Sequence, residues 1–314
     1  MENYVKENEA ALQEKVIPQN CPEDLEQFWQ TAVAQLRAVP LQVKRKKLRT
    51  PYDRTISTWE LRVNTHDATE LVAWFSYPAN ADEKLPCAVY FHGGSMYKTL
   101  HHDIVATGVC CLDMDVRGQG GESVDRADYP SGNYNGSLMT RGLLDRNSYY
   151  LRNIYLDAIR MMDVAASLPE VDPERIVTYG GSQGGALSIV ASAFSGHSKK
   201  CYSFLTSYCC LRQRVEKATA SCKGISEYLK RFPEDTDRVI ENLSYFDVKN
   251  LVSFLKVPTD FCLGLADDIC LPHFVYSAYY HAKCEKTITI LPFTPHFFVP
   301  PTFRDHAYFE FEAL

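Results

Sequence analysis

Apolar residues recur at helical spacing over residues 22–38, where Leu25, Phe28, Trp29, Ala32, Val33 and Leu36 fall on one face. Pro22, Glu23 and Asp24 suit a first turn, which tolerates proline and favours acids. The period then changes. Residues 54–63 and 70–76 are rich in apolar and β-branched side chains, and Asn64 to Asp67 lie between them, which predicts an antiparallel pair. Beyond these, strand-like and helix-like runs alternate. Cys87 to Phe91 is a short apolar run ending at His92-Gly93-Gly94, and Val109 to Met114 is another, ending at Arg117-Gly118-Gln119-Gly120. Over residues 149–168, Tyr150, Ile154, Tyr155, Ala158, Met161, Met162, Ala165 and Leu168 share one helical face, with Ser148 as the expected N-cap. Ile176 to Tyr179 is a strand, and a helix follows from about Gly184. Cys201 to Leu205, Asp260 to Leu263 and Thr287 to Leu291 complete the strands, with a mainly helical insertion at 209–245. Such alternation predicts an α/β class, a mostly parallel sheet covered by helices on both faces. No linker divides the chain, so one domain is expected over 1–314, with 1–85 as an N-terminal helix and antiparallel strands.

Composition narrows the function. The 314 residues are 46% apolar and 23% charged, as in a soluble globular protein. A net charge of −6 gives no footing for nucleic acid. The basic run Lys44-Arg45-Lys46-Lys47 reads as a solvated strand edge. No signal peptide and no membrane span are expected, because the start lacks an apolar core and no run approaches roughly 18 apolar residues. Eleven cysteines, an odd number without a C-x-x-C pair, read as buried free thiols in a cytoplasmic protein. No Cys/His cluster has zinc-ligand spacing, and neither a metal nor a cofactor is expected.

The candidate chemistry lies in Tyr179-Gly180-Gly181-Ser182-Gln183-Gly184-Gly185, a G-x-S-x-G between a β-branched run and a small-residue helix. A serine on a sharp strand-to-helix turn is lifted above the sheet edge, and small neighbours let strand and helix approach. It also sits at a helix N-terminus, where backbone N–H groups favour developing negative charge. A glycine-rich phosphate loop is the plain alternative, but G-x-G-x-x-G is absent here. With Ser182 as nucleophile, an α/β-hydrolase fold places an acid and then a histidine after it, each beyond a late strand. One strand ends at Leu263-Gly264-Leu265-Ala266-Asp267-Asp268 and another at Leu291-Pro292-Phe293-Thr294-Pro295-His296. Asp267 and His296 are the candidates, with Asp268 expected to serve the helix that begins near Pro272. His273, His281 and His306 compete for the base, but they fall in predicted helices. The oxyanion donors are expected to be the N–H groups of Gln183 and Gly94.

At these residues the chain resembles the acetyl xylan esterase and cephalosporin C deacetylase family. The likeness runs through Pro22-Glu23-Asp24-Leu25-Glu26-Gln27-Phe28-Trp29, Arg117-Gly118-Gln119, Met139 to Asp145, Tyr155-Leu156-Asp157-Ala158, Gly180 to Gly185, Leu243-Ser244-Tyr245-Phe246-Asp247 and Gly264 to Cys270. The resemblance implies deacetylation of small acetylated sugars and related acetyl esters, and a ring-like homohexamer. It carries nucleophile, acid and base onto Ser182, Asp267 and His296, and the oxyanion donors onto Gln183 and Gly94. Three positions depart from the family: Phe297 stands for its usual glutamate, Gly94 for its usual tyrosine before a shorter loop, and Ser207-Tyr208-Cys209 for its Asp-x-Pro. A peptidase or amidase on the same fold, and a weakly active binding protein, are the competing readings.

Overall fold

The β-branched and apolar runs become strands of a single sheet, and the spacings of three and four become the helices that cover it. The computed structural model describes residues 2–67, 69–297, 304, 307, 308, 310 and 311. Helices α1 (Glu2–Gln13) and α2 (Leu25–Ala38) lead into strands β1 (Val43–Leu48), β2 (Ile56–Asn64), β3 (Glu70–Pro78) and β4 (Leu85–Phe91). Then come α3 (His102–Ala106), β5 (Cys110–Met114), α4 (Tyr150–Ser167), β6 (Val171–Gly181), α5 (Gln183–Phe194) and β7 (Ser198–Phe204). The insertion holds α6 (Leu211–Glu216), α7 (Lys223–Arg231) and α8 (Thr236–Ser244). It is followed by α9 (Val248–Leu251), β8 (Thr259–Gly264), α10 (Pro272–His281) and β9 (Lys286–Leu291).

Among the described residues the strand order is β1-β2-β3-β5-β4-β6-β7-β8-β9. The first three pairings of that order are antiparallel and the other five parallel. The predicted hairpin forms, with Asn64 opposite Glu70. The basic run lies on β1, the sheet's edge, where charged side chains discourage pairing with another chain.

Two local expectations are corrected. Ser148 does not cap α4: the N-cap is Tyr149, and the Ser148 hydroxyl donates to Asp145 instead. Nor is α4 one-sided, since Arg152, Asn153, Asp157 and Arg160 are buried along with its apolar face. The sheet, α2 and α5 enclose it, so the polar residues there are internal joints. Trp29 of α2 is fully buried, its indole N–H donating to the Tyr245 carbonyl at 3.0 Å.

Candidate active site

Strand β6 ends at Gly181 and helix α5 starts at Gln183, leaving Ser182 alone at the corner with φ 55° and ψ −119°. A non-glycine residue at positive φ costs about 1–3 kcal/mol and persists only where its surroundings hold it. Here they do. Ser182 N–H donates to the Phe204 carbonyl at 2.9 Å, and its own carbonyl accepts from Ser207 N–H at 2.9 Å. Crowding explains the glycines: a Cβ on Gly184 would lie 1.8 Å from the Phe91 carbonyl oxygen, and one on Gly180 would lie 2.6 Å from Gly184 itself.

The loops after β8 and β9 are joined by backbone bonds, Leu265 N–H to Leu291 and Ala266 N–H to Thr294. Gly264 permits this, because a Cβ there would stand 2.3 Å from the Thr294 oxygen. The joined loops bring the two late candidates together. His296 Nδ1 lies 2.8 Å from Asp267 Oδ2, and His296 Nε2 lies 3.0 Å from Ser182 Oγ. A carboxylate only accepts, so it fixes the proton of neutral His296 on Nδ1 and leaves Nε2 to accept from the serine. The other Asp267 oxygen accepts from the N–H groups of Ile269 and Cys270 at 2.9 and 2.7 Å. Asp267 and His296 are both buried. Burial opposes a charged imidazole, but the Asp267 carboxylate and the Cys270 sulphur outweigh it and raise the His296 pKa to about 9.

The neighbouring candidates lie elsewhere. Asp268 is exposed, and it does not serve the following helix as expected: the N-cap of α10 is Leu271, with no side-chain cap. His273 opens α10 with its ring against Phe274, and His281 Nε2 lies 2.9 Å from the Ile17 carbonyl. His306 is outside the described residues.

Gln183 and Gly94 also converge. A Cβ on Gly94 would sit 3.9 Å from Gln183 Oε1 and meet nothing nearer, so this glycine is not demanded by space. Gln183 N–H opens α5, among the donors a helix leaves unsatisfied. The Gln183 side chain is held by partners that the sequence reading missed. Its Oε1 accepts from Gln119 Nε2 at 2.7 Å and from the Tyr208 hydroxyl at 2.9 Å. Gln119 Oε1 in turn accepts from Ser95 N–H, tying the loop after β4 to the serine corner. Gln119 belongs to the Arg117-Gly118-Gln119 motif and Tyr208 to one of the three departures, so both positions carried a signal without a role.

Other motifs prove to be joints. Arg117 is fully buried and pairs with both Asp157 oxygens at 2.6 Å, binding the loop after β5 to α4. Asp247 is buried and accepts from Cys210 and Leu211 N–H, fixing the start of α6. Asp267, Cys270 and His296 are one group whose ligand atoms lie within 4.8 Å of one another, as a metal would need. Their donor set is already committed: both Asp267 oxygens and His296 Nδ1 are bonded to protein groups. All eleven cysteines are free thiols, nine of them buried, with Cys21 exposed and Cys284 half-buried. A cleft of about 840 Å³ lies between residues 20–24 and helices α6 to α8, and none of Ser182, Asp267 or His296 lines it.

A mostly parallel sheet flanked by helices, with the serine corner after β6 and the acid and histidine after β8 and β9, defines the α/β-hydrolase fold. Within that fold, the chain belongs to the acetyl xylan esterase (AXE1) family, whose model matches residues 10–313. It is similar to the acetyl xylan esterase from Paenibacillus sp. R4, with TM-score 0.91 and 31% identity over 97% of this chain and 98% of that one. Acetyl xylan esterase 1 from Thermoanaerobacterium sp. JW/SL YS485 gives TM-score 0.88 and 29% identity, covering 97% of this chain and 98% of that one. The acetyl esterase Axe7A of Xylanibacter ruminicola is 24% identical over 283 residues, 88% of this chain. The chain spans 63% of that relative's length.

Proposed function

We propose that the protein is a serine esterase that removes acetyl groups from acetylated sugars, xylo-oligosaccharides and related small acetyl esters, those of the cephalosporin C type included. The carrying observation is the hydrogen-bonded chain Ser182–His296–Asp267. His296 Nε2 takes the Ser182 hydroxyl proton as Oγ attacks the acetyl carbonyl. Asp267 holds the imidazole and stabilises its charged form. The N–H groups of Gln183 and Gly94 receive the oxyanion. The C–O bond to the alcohol then breaks, His296 returns the proton to the departing oxygen, and water releases acetate from Ser182 by the same route. No step calls on a metal or cofactor.

Incubation with a fluorophosphonate followed by peptide mass spectrometry should find the adduct on Ser182, and p-nitrophenyl acetate should be hydrolysed. An adduct elsewhere, or cleavage of aminopeptidase p-nitroanilides in preference to acetates, overturns the reading. The proposal extends to a homohexamer in the cytoplasm, supported by the family resemblance and the free thiols. Light scattering of the purified protein checks the subunit number.

A further inference from the structure

Eight large apolar side chains are exposed among the described residues: Tyr4, Tyr52, Met96, Tyr97, Val124, Tyr280, Phe293 and Phe297. Five of them belong to two segments beside the serine corner, or to the helix that touches one of these segments. Phe293 and Phe297 flank His296 in one loop, 73% and 88% exposed. Tyr4 of α1 stacks on Phe293 with ring centres 5.5 Å apart. Met96 and Tyr97 follow Gly94, and the Met96 sulphur packs over Gly93, whose Cβ position is 3.9 Å from the Gly181 carbonyl oxygen. Solvent-facing apolar side chains gathered in one place mark a binding surface, whereas scattered ones carry no message.

The loop spends conformational freedom to keep this arrangement. Phe293 has φ 60°, a region that bulky side chains rarely adopt, and Tyr4 covers one face of its ring. The Phe297 ring stands edge-to-face against His296, centres 5.3 Å apart and planes at 83°. His296 Nε2 faces Ser182, so the departing alcohol oxygen must come to this imidazole to collect its proton. Whatever carries that oxygen therefore lies beside Phe297. Neither Gly93-Gly94-Ser95-Met96-Tyr97 nor Phe293-Thr294-Pro295-His296-Phe297 contains an acid, a lysine or an arginine. Lys98, the next residue, is buried and held by Asp115 and Glu122. Thr294 is buried, so the exposed hydroxyls of the patch are those of Ser95, Tyr97 and Tyr4.

We infer that these side chains form a platform for the alcohol half of the ester, with Phe297 as its main stacking face, and that it prefers an uncharged alcohol with a broad, flat ring face. This rests on the esterase reading. The platform acts on the choice of leaving alcohol and leaves the acyl side untouched.

Phenyl acetate and 2-naphthyl acetate present similar phenolic leaving groups and differ mainly in flat area. We expect kcat/KM to favour the naphthyl ester in the natural protein by about two- to twelvefold, the range of aromatic pairing. Phe297→Ala should bring the ratio close to one, and Phe297→Tyr, which keeps a ring, should restore most of it. Phe297 is exposed, so folding is not at stake, and light scattering of each variant accompanies the kinetics. Equal ratios in all three proteins overturn the platform and leave the esterase standing. A ratio that falls only together with subunit number overturns it too, because the patch is then a contact between copies. A natural protein inactive on every acetate overturns both readings at once.

Discussion

His296 lies between opposing influences, burial that disfavours its charge and the Asp267 carboxylate and Cys270 sulphur that favour it, and the latter prevail. A general base works in its neutral form, so kcat/KM should climb as pH rises through a value near 9 and level off above it. Asp267→Asn removes one raising influence and leaves that of Cys270. It should move that limb to lower pH and cut kcat by about 10⁴-fold, the precedent for an acid of this kind. A pH–rate profile of both proteins checks the direction. Asp268→Asn should leave kcat and the thermal midpoint nearly unchanged, because Asp268 is exposed and caps nothing. A folded-state pKa above the ordinary 6.5 also ties the pair to stability. Its contribution is full below 6.5 and fades as pH rises through about 9. The glycines separate two kinds of requirement. Gly94→Ala should fold normally, whereas Gly184→Ala must push a Cβ into the Phe91 carbonyl and should cost 3 kcal/mol or more by roughly the scale of severe packing errors. Urea unfolding of the two variants tests the contrast. That Ser182, Asp267 and His296 would lie together was legible, because strand ends announce such residues. The links from Gln183 to Gln119 and Tyr208 were not, since they join side chains 64 and 25 residues apart that no periodicity connects.

Among the elements, strands were read most faithfully, because β-branched runs bounded by glycine and proline carry their own limits. Strand β6 begins at Val171, ahead of the predicted Ile176, through a stretch of Asp, Pro, Glu and Arg that no strand pattern marks. Helix α1 was missed altogether. Its sequence is mostly polar, and of its described side chains only Leu12 is buried, packed with Tyr276 and Ile290. One buried apolar residue in three turns leaves no stripe to detect. Leu12→Ala should therefore cost about 2–3 kcal/mol, at the lower end for core leucines, since the site is at the rim of the molecule. Arg117 is the opposite case, a charge with no exposure. Asp157→Asn leaves it with Asp67 as its nearest remaining partner. The expected loss is about 3 kcal/mol, the lower end for breaking a buried pair, because Asp67 still shares the charge. Equilibrium denaturation reads both.

Across the whole molecule, the resemblance motifs sort into two groups that the sequence alone could not separate. Gly180 to Gly185 and Gly264 to Cys270 build the serine corner and its acid. The motifs around Trp29, Arg117, Asp157 and Asp247 join helix to sheet and insertion to body. The thiols are distributed in a way that lets this division be watched. Cys87, Cys110, Cys111, Cys201 and Cys262 lie in the strands, while Cys209, Cys210, Cys222 and Cys270 lie in the insertion and beside the acid. None is bridged to another, so each can take up an alkylating reagent only when its surroundings open. A native sample should give up Cys21 at once and Cys284 slowly. The insertion thiols should follow before those of the strands, as mass spectrometry of the labelled peptides would record. The protein thus carries its own set of clocks, placed at different depths, that time which part of it comes undone first.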